Sequence, residues 1–149
     1  MDYIIQCLAA FVGCLGFSLV FRIHKNLRFA LIGSLGGSIG WIAYLLLENS
    51  LGVIITSLCA MMIVALYSEL MARAYKAPAT IFIVVGCFPL VPGKGIYQTM
   101  LYLISNNRDM FINSLLDTVG IALALATAIL IISTVFKVIK SIKNLRYQS

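Results

Sequence analysis

The sequence predicts an all-α fold: a polytopic membrane helical bundle of about five transmembrane helices, the fourth broken at Pro89-Leu90-Val91-Pro92-Gly93. Three observations carry this. Of 149 residues, 62% are hydrophobic and 11% charged, and the mean hydropathy is +1.04. A soluble domain carries about 25% charged residues, so these few cannot cover a water-facing surface. Second, the charges cluster, leaving uncharged runs at 3–21, 29–47, 49–68, 77–93 and 118–136. A hydrocarbon core of about 30 Å takes roughly 20 helical residues. Backbone groups in lipid must bond internally, so such runs become helices. Third, two prolines and two glycines interrupt the fourth of these segments. An ordinary cytosolic enzyme, a disordered tail and a small disulfide scaffold are excluded. The net charge of +6 comes without a basic, aromatic-interleaved stripe, so nucleic acid is not expected as a partner.

Taken in order, helices are expected near 3–21, 29–47, 51–67 and 111–136. The third is expected to continue to about Lys76, with Glu69 and Arg73 paired at i,i+4, until Pro78 closes the connection. The fourth crossing is assembled from 79–104, because neither of its apolar pieces spans alone. The whole chain, 1–149, forms a single integral membrane domain. A cleaved leader is not expected at the start, which lacks a basic n-region.

Loop charges set the orientation. Arg22, Lys25, Arg28, Arg73, Lys76, Lys137, Lys140, Lys143 and Arg146 fall on one side, against Lys94 and Arg108 on the other. The N-terminus is therefore expected outside and the basic tail, 137–149, in the cytoplasm. A re-entrant hairpin at 79–104 would place the four tail cations outside, and the charge bias opposes it. The tail either contacts lipid headgroups or is a helix end emerging into water, the second reading having more weight.

Helix two carries Gly33, Gly36, Gly37 and Gly40, two overlapping GxxxG pairs on one broad face, with Ser34 and Ser38 beside them. Small residues let a second backbone approach closely, so these mark a packing seam. Its partner is either another helix of this chain or another subunit.

The break is the candidate site. Proline has no N–H and clashes with the carbonyl four residues back. Pro89 and Pro92 thus free the carbonyls of Val85 and Phe88 from helical pairing, and Gly93 permits a tight turn. A half-helix restarting near Gly95 offers amides and the positive end of its dipole to an anion, and Lys94 adds a full charge. Discontinuous helices with such termini bind substrates in transporters. The expected substrate-binding residues are Lys94, Gly95, Tyr97, Thr99, Val85 and Phe88. The bland alternative is a kinked helix entering an outer loop, with Lys94 reaching water. Asp117 is either an intramembrane coupling or counter-charge residue or, if its helix starts a turn later, an interfacial N-terminal acid.

Cys7, Cys14, Cys59 and Cys87 have no metal-ligand spacing and read as packing residues. His24 reads as a solvated loop residue. No catalytic motif is present, so no catalytic residue, metal or cofactor is expected.

The run SELMARAYKAPATIFIVVGCFPLVPGKGIYQTM, from Ser68, together with the glycine-rich stretch ending Gly40-Trp41, resembles the threonine/serine exporter family, specifically its small five-helix half. The resemblance implies a companion membrane protein carrying the other half. It also implies export of threonine, serine or a dicarboxylate such as succinate across a bacterial inner membrane, driven by the proton gradient. Against this stands a membrane assembly or scaffold protein, or a homo-oligomeric channel, whose glycine seam docks a partner.

Overall fold

The computed structural model describes residues 2–20 and 27–146, all in helices and short connections. The helices are α1 (Asp2–Val20), α2 (Leu27–Leu47), α3 (Val53–Ala74), α4 (Ala79–Gly86), α5 (Gly93–Ile104) and α6 (Arg108–Arg146), with a 3-10 turn at Phe88–Leu90. Four of them are long and apolar enough to cross a membrane, and α4 with α5 makes a fifth candidate bent by 51°. Arg22, His24 and Lys25 lie outside the described residues.

The ends of the helices follow local chemistry. Helix α3 ends at Ala74; Lys76 just beyond it has a left-handed φ of 52°, and the Ala77 amide bonds back to the Ala72 carbonyl. Asn106 repeats this after α5, with φ 55° and the Asn107 amide on the Tyr102 carbonyl. Both are C-terminal caps that expose a left-handed residue. Asn107 then caps α6 by accepting from the Met110 amide at 3.4 Å. Thr56 Oγ1 donates to the carbonyls of Leu51 and Leu47, tying the α2–α3 turn.

The extent of α6 departs from expectation. It begins before Phe111 and continues through the basic stretch to Arg146, so that part of the expected tail is helix. The expected Glu69–Arg73 pair does not form. Arg73 turns to α6 instead, donating to the Phe136 carbonyl at 3.3 Å and lying 4.6 Å from the centre of its ring. Glu69, only half-buried, offers partly screened attraction, whereas Phe136 supplies ring and carbonyl together.

Helix α2 is the centre of the bundle, packing against α1, α3 and α4. The glycine seam is filled by this chain's own helices. A Cβ on Gly33 would sit 3.1 Å from Val85 of α4, and one on Gly36 would sit 2.9 Å from the Tyr67 ring of α3. On Gly37 it would collide with Cys14 of α1, and on Gly40 with Val64 of α3. The approach also lets the Tyr67 hydroxyl donate to the Ile32 carbonyl across the helices, at 3.1 Å. Beside this seam lies the buried cluster of Ala60, Met61, Val64, Ile83, Leu90, Leu125 and Ala128.

Neighbouring contacts set the direction of the broken segment. Phe29 of α2 meets both Tyr75 and Phe82 edge-on, so α4 starts at the end of the bundle where α3 finishes. We call this the basic end, since Arg73, Lys76 and Lys137 share it. Gly120 lies under Ile54 and Phe136 meets Arg73, so α6 runs parallel to α3. Helix α5, which leads through a short turn into the start of α6, therefore finishes at the opposite end. The α4–α5 pair thus runs through the bundle as one broken span, not as a hairpin returning to the basic end.

Candidate functional site

The break lies halfway along the bundle, where Pro89 packs on Gly37 and Leu90 near Gly40. Here Pro89 enters the 3-10 turn, and the Val91 amide reaches the Phe88 carbonyl at 3.4 Å. That carbonyl is therefore taken up locally rather than left free, because a 3-10 bond needs a donor only three residues on. The first α-helical bond of α5 runs from Ile96 to the Pro92 carbonyl at 3.0 Å. The amides of Lys94 and Gly95 precede it and have no carbonyl four residues back within the helix.

A cavity of about 890 Å³ opens from the break toward the end opposite the basic one. Pro89 to Gly95 form one wall and Gln98 and Tyr102 extend it along α5. Asn113, Ser114, Asp117 and Thr118 of α6 form the facing wall. Tyr3 and Gln6 of α1, Glu48 of α2 and Ser57 of α3 close the sides, and Trp41, Leu90 and Ile121 make the floor. Of the expected site residues, Lys94, Gly95, Asp117, Pro89, Pro92 and Gly93 come together here.

The other four expected substrate-binding residues lie elsewhere. Tyr97 is 67% exposed on the outer face of α5 and does not line this cavity. Val85 is fully buried under Gly33, while Phe88 stacks on Phe17 of α1 at 4.5 Å. Thr99 is buried between α5 and α6, where Oγ1 donates to the Gly95 carbonyl at 2.8 Å and meets Ser114 Oγ at 3.0 Å. Thr118 donates to the Ser114 carbonyl, and a Cβ on Gly95 would come within 2.5 Å of its hydroxyl oxygen. These hydroxyls stitch the two walls so that Lys94 and Asp117 are carried by one hairpin.

Asp117 sits ten residues along α6, so it is not the acid of the first turn; Asp109 is. Among the described residues, neither the Lys94 nor the Asp117 side chain makes a hydrogen bond or an ion pair. One cation and two carboxylates, Lys94 against Asp117 and Glu48, line one cavity within an apolar bundle. Such a site can hold a ligand carrying both a carboxylate and an ammonium.

Reading the break alone misses Trp41, Tyr44, Glu48, Gln98 and Asn113. Helical periodicity carries the missing signal. Trp41, Tyr44 and Glu48 recur at i, i+3 and i+7, Lys94, Gln98 and Tyr102 at i, i+4 and i+8, and Met110, Asn113, Asp117 and Ile121 at i, i+3, i+7 and i+11.

Among known proteins, neither the curated ones nor the solved structures match the chain. The family model for the threonine/serine exporter, ThrE, matches residues 6–135, from the first turns of α1 to the last apolar turns of α6. With its apolar crossings and broken helix, the chain belongs to the threonine/serine exporter family and is a multi-pass membrane protein of exporter-type transport.

Proposed function

We propose that the chain is one subunit of a two-component exporter of small carboxylate-bearing metabolites, its companion membrane protein supplying the other half. The observation that carries this is the single cavity shared by Lys94, the amide-bearing start of α5 and Asp117. The substrate carboxylate binds at Lys94 and the α5 terminus, where charge and dipole agree. The ammonium binds between Asp117 and Glu48. One cation against two carboxylates favours an amino acid such as threonine or serine over a dicarboxylate such as succinate, whose second charge would meet no partner. Asp117 is also the coupling residue, exchanging a proton of the driving gradient for the substrate ammonium.

The loop charges support an arrangement with the basic end in the cytoplasm of a bacterial cell, so the cavity faces outward. Helix α5 packs on α6 and leaves Ile96, Met100, Leu103 and Ile104 on an open apolar face, which suits a partner subunit. The scaffold alternative loses its main support, because the glycine seam is filled from within.

The test is exchange of labelled threonine in proteoliposomes containing the complex purified from its native host, with serine and succinate as competitors. Competition by serine but not succinate is expected. Competition by succinate alone would move the reading to a dicarboxylate, and no exchange of either would sink it.

A further inference from the structure

We propose that Trp41 is the gating residue at the floor of the cavity, closing it toward the basic end. The proposal rests on the transport reading above only for the identity of the substrate.

The indole lies at a boundary. It lines the cavity on one side and packs against the buried cluster of Met61, Val64, Ile83 and Leu90 on the other. Its ring stacks on Tyr44, one turn along α2, with centroids 5.3 Å apart and planes 10° apart. Together with Leu90 and Ile121, the indole separates the cavity from the buried cluster.

The indole N–H is the anomaly. Nε1 is buried and has no hydrogen-bond partner. A buried indole N–H ordinarily finds an acceptor, because leaving it unpaired forfeits the hydrogen bond it made to water. Here ring stacking holds the side chain in a position that its polar edge disfavours. A rotation off Tyr44 brings the N–H to the cavity, where a substrate oxygen or water accepts it, and the same rotation opens the floor.

The surroundings hold the backbone beside Trp41 and leave the turn at Leu90 outside any α-helix. The preceding residue, Gly40, is pressed against Val64, so the backbone of α2 cannot shift toward α3. Leu90, the other half of the seal, sits in the 3-10 turn after Pro89, outside the regular helical ladder. It can withdraw without breaking an α-helix. Leu90 stands four positions before Lys94, so the floor and the charged wall belong to one short stretch of chain.

The experiment uses the native complex in proteoliposomes with a trapped pH dye, comparing the wild type with Trp41→Ala and Trp41→Phe. Without amino acid present, the Ala variant should dissipate an imposed pH gradient about tenfold faster than wild type, because the plug is gone. The Phe variant keeps the plug but lacks the N–H; it should hold the gradient and exchange labelled threonine severalfold more slowly. An Ala variant that holds the gradient like wild type overturns the proposal. Should the Ala variant fail to insert, the Phe variant decides, and wild-type exchange by it also overturns the proposal. A leaking Ala variant in a complex that exchanges no amino acid leaves the gate standing and removes the transport reading instead.

Discussion

The α2 seam and the α5–α6 hairpin are both helix–helix contacts, yet they are built on opposite principles. Along α2, four glycines bring the chain's own helices so close that a single added carbon meets Val64 or Cys14. Between α5 and α6, the contact is made by hydroxyls: Thr99, Ser114 and Thr118 bond to one another's turns and to the Gly95 carbonyl. The seam draws on close packing, which tolerates no change of separation. The hairpin draws on directional bonds in a wall that borders the cavity. A transport protein needs both, a fixed frame and a wall that carries the charged groups.

Four predictions test that division, from the largest effect to the smallest. The most severe is Gly40→Leu, which must displace Val64 from a buried cluster and costs roughly 1–3 kcal/mol or more by overpacking. Loss of monodisperse protein in size-exclusion chromatography is expected, while Gly16→Ala, with open space around it, should elute normally. Equal yields would show that the seam is not a fixed frame.

Next, Lys94→Ala and Asp117→Asn should each abolish threonine efflux with normal membrane insertion, read by transport and by membrane-fraction blotting. Normal efflux from both variants would remove the charged groups from the site. Third, Gly95→Ala should push α5 off Thr118 and raise KM for threonine several-fold, and adding Thr118→Ala should restore it by making room. A double variant no better than the single one would mean that the wall is not held by that contact.

The smallest effect concerns Glu69. Because Arg73 binds Phe136 rather than Glu69, Glu69→Gln should change thermal stability by less than about 0.5 kcal/mol, within the range of surface pairs. Arg73→Ala should lower it more, since two contacts go. A melting curve of each variant in detergent separates the cases. Equal losses would restore the i,i+4 pair.

The crossings, the break and the seam were legible in the residues because each obeys a local rule. Hydrocarbon thickness dictates the length of an uncharged run, a proline removes the N–H at its own position, and glycines at i and i+4 share a face. Reading the site was harder. Lys94 and Gly95 belong to it by adjacency to Pro92, and Asp117 by being charged in an apolar run. Tyr97 and Thr99, equally close in sequence, turn away because α5 presents residues 94, 98 and 102 to the cavity. Val85 falls on the seam side of the break, under Gly33.

The sequence by itself determined that the protein spans a membrane several times, where its fourth span breaks, and which side of the bundle gathers the cations. Those properties depend on spacing along one chain and on the cost of charge and of open backbone in lipid. Only the tertiary structure decided what fills the seam, which face of each broken half lines the cavity, and that Trp41 and Glu48 from α2 join Lys94 and Asp117 there. These depend on the 51° bend and on the rotation of each helix about its axis. Both are settled by contacts between residues tens of positions apart, of which no short stretch of sequence carries a record.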